Sequence, residues 1–363
     1  MQDNLQNNFF YQIVSLLQEA RFQVVRTVNH TMVYTYFNIG KMIVEEEQNG
    51  KERAAYGKQL LKGLSQKLTE EFGKGFSIDS LEKMRKLYMT YSISETLSRN
   101  SYQNQIPQTL SVIFNEIEKS SALSTKSEGE KITFVLTWSH YTLLMRIDDA
   151  NERSFYEIES SKNNWSLREL KRQYDSALYT RLSLSRDKEE VKKLSEKGQI
   201  IEKPKDIIKD PYILEFLGLP EKHSYSENDL EEEIINKLEH FLLELGNGFT
   251  FVSRQKRITF DDKHFRIDLV FYNRILKCFV LIDLKIGELK HQDLGQMQMY
   301  VNYYDREMRL EDENKTIGIV LCQNKSEAVV KYTLPENNEQ IFASKYKTVL
   351  PSKEVLEQLI KEN

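Results

Sequence analysis

The period of the apolar residues changes once along this chain, and that change limits the fold more than any other feature. Up to about residue 185 apolar side chains recur every three or four positions, the spacing of helices that bury one face. Beyond residue 226 they fall into short runs rich in Val, Ile, Phe and Tyr, interspersed with amphipathic helical stretches, the pattern of an α/β domain. Between the two regimes, Arg186 to Lys203 alternates in charge, and Pro204, Pro211 and Pro220 fall within seventeen residues. This reads as a mainly helical N-terminal domain over 1–185, a linker over 186–225 and an α/β domain over 226–363. A length of 363 residues suits two domains, and 40% hydrophobic residues supply both cores.

In the first regime, Phe10, Ile13, Val14, Leu17, Ala20, Val24 and Val28 repeat at helical spacing, with Gly40 and Gly57 near breaks in the pattern. Leu60, Leu61, Leu64 and Leu68 then share a face, followed by Gly73 to Ser77 and a second helix carrying Leu81, Met84, Leu87 and Tyr88. Helix, Gly-containing turn and helix describe either a DNA-binding helix-turn-helix, with Lys83, Arg85 and Lys86 on its second helix, or a plain helical hairpin. Residues 92–130 turn to Ser, Asn and Gln with little periodicity and read as a flexible segment. Ile132 to Leu136 is a short β-type run. His140, beside Trp138 and Tyr141, reads as a satisfied core histidine. Ser166 and Glu169 have capping-box spacing at the start of a helix decorated by Arg168, Lys171, Arg172 and Arg181.

In the second regime an amphipathic helix from Leu230 to Leu245 precedes three β-type runs, 249–254, 265–272 and 278–286; a helix over 292–304 and a strand over 316–322 follow. Alternation places Ile267, Leu269 and Phe271 on one face of the second strand, and Asp268 with Val270 on the other. It likewise groups Leu281, Asp283 and Lys285 on the third. Burying three such charges costs several kcal/mol each unless they are paired or bind a metal. Two carboxylates and a lysine on neighbouring strands suit metal-assisted phosphodiester hydrolysis: hard oxygens hold Mg²⁺ (or Mn²⁺), and the lysine acts on the nucleophile and on the charge growing at phosphate. The bland alternative is a surface ion pair. Arg254 and Lys290, near these groups, either steer phosphates or belong to a solvated face.

Ile267-Asp268, Asp283-Leu284-Lys285 and Gln296-x-x-x-Tyr300 together resemble the PD-(D/E)XK nuclease superfamily, the Gln/Tyr helix being similar to that of its RecB-like branch. Much of the remaining chain, including 26–40, 56–91, 136–141, 164–182, 209–219 and 238–305, resembles the YhcG-like bacterial proteins. The resemblance implies a restriction-endonuclease-like α/β domain behind a helical N-terminal domain, with Asp268 and Asp283 as metal ligands and Lys285 catalytic. It maps the superfamily's helical acid onto Glu231, which flanks the apolar stripe; a capping contact with Asn228 explains that residue equally well. Gln296 and Tyr300 then approach the scissile phosphate or the lysine, or else form a helix hydrogen bond and a core aromatic.

The net charge of −4 provides no global basic field, so a nucleic acid has to be met by local patches. No stretch approaches eighteen apolar residues, the first eight residues are mostly acidic or amide-bearing, and Cys278 and Cys322 lack metal-type spacing, so a cytoplasmic chain with no membrane partner is expected. The expected partner is nucleic acid, DNA before RNA, with a homodimer and defence-system proteins as further partners. A non-catalytic scaffold or nucleic-acid-binding subunit, and an RNase, are the competing functions.

Overall fold

The computed structural model describes residues 2–49, 54–93, 134–184, 188–219, 225–260 and 262–350. Most of the Ser/Asn-rich segment 92–130 and the beginning of the 132–136 run lie outside the described residues, as does the C-terminal 351–363. The chain forms two compact units, 1–170 and 171–363.

The first unit is helical, as expected. Helices α1 (Gln2–Asn49), α2 (Ala54–Phe72) and α3 (Ile78–Ile93) are followed by α4 (Trp138–Leu144) and α5 (Ala150–Lys162). Ile43, Leu61, Leu81 and Met84 form its centre, with Leu64, Leu68 and Trp138 packed against them. Gly40 does not break α1, which runs through it. A Cβ there would stand 2.1 Å from the Met84 carbonyl oxygen, so the missing side chain lets α1 and α3 approach backbone to backbone. The apolar stripe predicted for the first half of α1 exists but is not core: Ile13, Val14, Leu17, Val24 and Val28 are exposed. Phe134 packs edge-on against Tyr91 and Tyr141, and residues 134–137 form no strand. His140 is satisfied by Thr137 at 2.6 Å and the Trp165 carbonyl at 3.0 Å.

Helix α6 (Leu167–Asp175) spans the division between the units, and Ser166 and Glu169 make the predicted capping box at its start. The second unit continues with α7 (Leu178–Leu184) and α8 (Lys188–Lys197). Where the sequence pattern predicts a linker, the structure has α8, a 3₁₀ turn over Pro204–Ile207 and strand β1 (Tyr212–Ile213), with Ile207, Tyr212, Ile213, Leu214 and Leu217 buried. Helices α9 (Glu227–Asn236) and α10 (Leu238–Leu245) follow, split at Lys237 where one helix was predicted. Strands β2 (Phe249–Phe260), β3 (Lys263–Asn273) and β4 (Cys278–Glu288), helix α11 (His291–Tyr303), strand β5 (Ile317–Asn324), helix α12 (Glu327–Thr333) and strand β6 (Ile341–Lys347) complete the unit.

These strands form one mixed sheet in the order β1-β6-β5-β4-β3-β2, antiparallel from β2 to β4 and parallel from β4 to β1. Leu230, Ile234 and Phe241 of α9 and α10 pack with Leu269, Phe271, Val280, Ile282 and Leu284. On the opposite face Leu294, Met297, Tyr300 and Val301 of α11 pack with Val270, Leu281 and Val320. Ile267 departs from the predicted alternation, since it joins the α11 cluster while Leu269 and Phe271 join the other. The inversion coincides with Gln255, which sits on β2 between the residues paired to Leu269 and Ile267 and has a left-handed φ of 47°. Among the described residues no helix is long and apolar enough to cross a membrane.

Candidate active site

Strands β3 and β4 are paired from Asn273↔Cys278 as far as Leu269↔Ile282, where their backbone ladder stops. At the next step the Asp268 carboxylate replaces a backbone acceptor: its Oδ2 takes the Leu284 amide at 2.8 Å. The strands thus part into a fork held by a side chain, because a carboxylate reaching the opposite amide spares it from being buried unsatisfied. Strand β4 continues beside β5 through Asp283↔Val320 and Lys285↔Cys322, so its acid and its lysine remain on a rigid frame while the strand on its other side turns away.

Within the fork Asp283 is 2% exposed, and its Oδ2 lies 2.7 Å from the Lys285 ammonium, off the line of a hydrogen bond. Lys285 is also 3.6 Å from Glu227 and donates to the Leu284 carbonyl at 3.3 Å. Glu227 further accepts the Ile286 amide at 3.2 Å, which ties the start of α9 to the end of β4. This residue was missed in the sequence, where its one signal was a position four residues, one helical turn, before Glu231. Capping of α9 is performed by Ser226 and Asp229, which bond each other's backbone amides at 3.2 and 2.7 Å. Glu231 is therefore not spent on a cap. It is buried and accepts a hydrogen bond from the Gln255 amide, which donates to Asp268 Oδ1 at 3.2 Å as well.

Burial, opposed by the Leu284 amide and Lys285, raises the Asp268 pKa. Burial and then the facing Asp268 push Asp283 up to about 7 despite Lys285. Glu231 is raised by burial, with Gln255 opposing. For Lys285 burial works downward, but Asp283, Glu227 and Asp268 outweigh it and hold the ammonium above its ordinary range. Four acids, Asp268, Asp283, Glu231 and Glu227, thus share with Lys285 a site that is short of positive charge.

Among the described residues no three His, Cys, Asp or Glu side chains stand close enough to enclose an ion as they are. The chemistry of the donor set nonetheless suits a hard divalent cation: α9, β3 and β4 each contribute a carboxylate, and buried Asp283 Oδ2 has the Lys285 ammonium beside it but no hydrogen bond of good geometry. Asp268 joins the set, being linked to Glu231 through Gln255 and lying across the fork from Asp283.

Gln296 and Tyr300 are adjacent on α11. The Gln296 amide donates to the Tyr300 hydroxyl, which donates to the Arg266 carbonyl at 2.8 Å, two residues before Asp268. Tyr300 is fully buried, so the pair pins β3 just ahead of the fork. Of the basic residues, Arg254 is exposed with its Nε 4.0 Å from Glu231, and Lys290 is exposed one residue before α11. Arg172 is committed elsewhere, held by Glu215 at 3.0 Å and Glu244 at 3.4 Å. Arg168 is exposed, and Lys171, also exposed, pairs with Asp175. In the first unit Lys83 pairs with Asp79 at 2.6 Å and Arg85 with Glu47 at 3.1 Å, whereas Lys86 is exposed.

Residues 205–361 match the family model of the YhcG PDDEXK nuclease domain, and residues 12–181 that of the DUF1016 N-terminal domain. The protein named "Putative nuclease YhcG" of Escherichia coli (strain K12) is 42% identical over 347 residues, which cover 95% of this chain and 90% of that protein. Among solved structures, a repair endonuclease from Pyrococcus abyssi is 19% identical, with a TM-score of 0.27 over 36% of this chain and 50% of that one. An EndoMS complex with double-stranded DNA is 16% identical, with a TM-score of 0.26 over 37% and 51%. With identity and coverage extending over both units, the chain belongs to the YhcG-like family of PD-(D/E)XK nuclease-domain proteins.

Proposed function

We propose that this chain is a metal-dependent nuclease that hydrolyses phosphodiester bonds of DNA. The observation that carries this reading is the fork itself, where Asp268 and the buried Asp283 meet the Lys285 ammonium at the parting of two strands. Asp268, Asp283 and Glu231 are the residues to hold Mg²⁺ or Mn²⁺, through carboxylate oxygens. Such an ion acidifies a bound water and screens the charge that builds on phosphate.

Lys285 stays protonated between Asp283 and Glu227, so its part is to donate to the attacking water and to the phosphate oxygens as they gain charge. Gln296 and Tyr300 act behind it, fixing the course of β3 so that Asp268 is presented at the fork. DNA is preferred over RNA because of the first unit's helix, Gly-containing turn and helix, α2 to α3, with Lys86 exposed and Lys83 and Arg85 nearby. Arg254 and Lys290 are further phosphate contacts in this reading, and a homodimer would bring a second site to the second strand of a duplex.

A non-catalytic binding or scaffold role is the second reading, and what favours it is that no three acids are already gathered into an ion cage among the described residues. One experiment separates the two. Labelled single-stranded, duplex and branched DNA, and RNA, are incubated with the purified protein in Mg²⁺, Mn²⁺ or chelator, beside Asp283→Ala and Lys285→Ala. Metal-dependent cutting of DNA, lost in both variants, is the expected result. Cutting confined to RNA would make the protein an RNase. No cutting of any substrate, with nucleic-acid binding equal in parent and variants, would leave the scaffold role.

A further inference from the structure

Ala177, Gln255, Asp262 and Lys277 of the second unit all have positive φ, and Gln255 is the one of them inside a strand. It lies within a strand, yet its φ is 47°, a left-handed backbone that non-Gly residues seldom adopt. That conformation carries a cost, and the visible return is the direction of one side chain. The Gln255 amide donates both to Glu231 of α9 and to Asp268 of β3, two acids from separate elements that otherwise repel each other. Among the described residues the cation paired with Glu231 is Arg254, whose Nε is 4.0 Å away on an exposed side chain.

We infer that Gln255 is a positioning residue of the carboxylate site: its amide holds Glu231 against Asp268 before a cation arrives, so the ligands are gathered in advance. This rests on the metal-site reading proposed above. Both acids sit on otherwise firm supports, α9 through its cap and β3 through Tyr300, and among the described residues Gln255 alone hydrogen-bonds to both. Without the amide, Glu231 turns away from Asp268, and each ion that binds has to bring it back. The amide donor acts as a removable neutral stand-in, since neither acid has to be protonated to tolerate the other.

The test is Mn²⁺ binding by calorimetry, alongside metal-free melting curves, for the full chain and for Gln255→Gly. Glycine accepts the left-handed backbone without a Cβ penalty, so the strand keeps its course while the amide is lost. The expected result is Mn²⁺ affinity about tenfold weaker, the lower end of what outer contacts to metal ligands contribute, with no fall in melting temperature. In a Glu231→Gln background the same change should add little further loss, because the effect passes through Glu231. Gln255→Asn, which also tolerates positive φ but is too short to bridge both acids, has to weaken binding too, and serves if the glycine variant fails to fold. Affinity equal to or tighter than the parent's, or a full further tenfold loss in the Glu231→Gln background, overturns the role of Gln255 while leaving the metal site standing. A parent protein that binds no Mn²⁺ overturns the metal site, and this inference with it.

Discussion

Asp283 sits under a heavy electrostatic load in the second unit. Its carboxylate is buried, faces Asp268 and is offset by one ammonium. Removing a charge from such a cluster relieves desolvation and repulsion, so Asp283→Asn should raise the metal-free melting temperature by roughly 2–4 °C while abolishing cutting. Differential scanning calorimetry in chelator checks this, and a lower melting temperature would contradict it. Lys285→Met has the opposite sign, since it leaves two acids in the fork without their cation; a loss of about 3 kcal/mol in urea unfolding is expected. The acids and the lysine were legible in the sequence because charges inside strongly apolar strands demand a partner. Gln255 was not, since its importance comes from a backbone angle that no local pattern announces. Glu231 was legible as one of two alternatives, and the cap made by Ser226 and Asp229 removed the competing one.

At the scale of elements, α6 and α7 are joined to α10 by a buried ion network. Arg181 and Glu244 are fully buried and 2.6 Å apart; Glu244 also takes the Ile213 amide at 3.0 Å, and Arg172 lies 3.4 Å away. Although burial alone works upward, Arg181, Lys209 and Arg172 lower the Glu244 pKa to about 2. A depressed carboxylate stabilises the fold above its unfolded pKa of about 4.5 and loses that contribution as pH falls towards 2. The parent should therefore exceed Glu244→Gln by on the order of 3 kcal/mol above pH 5, with the gap closing towards pH 2. Chemical unfolding of both proteins from pH 7 to pH 2.5 checks this, and a gap independent of pH would refute it. Sequence periodicity placed Arg181 on a helix surface because spacing cannot reveal a cover that comes from Glu244, 63 residues away. Strands β1 and β6 escaped notice for a different reason: one is two residues long, and the other, Ile341–Lys347, carries two lysines and a serine that dilute its alternation. The helical stretch, three strands, helix and strand between them were readable because their apolar periods are strong, although the period showed neither the split at Lys237 nor the change of face at Ile267.

For the molecule as a whole, the compact division at 170/171 and the start of the nuclease-domain match at 205 make different predictions for fragments. A fragment of 171–363 retains Arg172 and Arg181 and should melt cooperatively. One starting at residue 205 exposes Glu244 to a buried existence without either arginine and should be insoluble or molten, as near-ultraviolet circular dichroism and gel filtration would show. In the first unit, Gly40→Ala drives a methyl into the Met84 carbonyl and should cost about 1–3 kcal/mol or more, measured on the full chain. The sheet, lastly, ends at β2, twelve residues long with no neighbour on its outer side among the described residues. A straight edge of that length invites a strand from another molecule to add on, the first step towards aggregation. The left-handed turn at Gln255, with Arg254, Lys256 and Arg257 around it, interrupts that template near its middle, so the residue that aims an amide into the fork also keeps the sheet from growing.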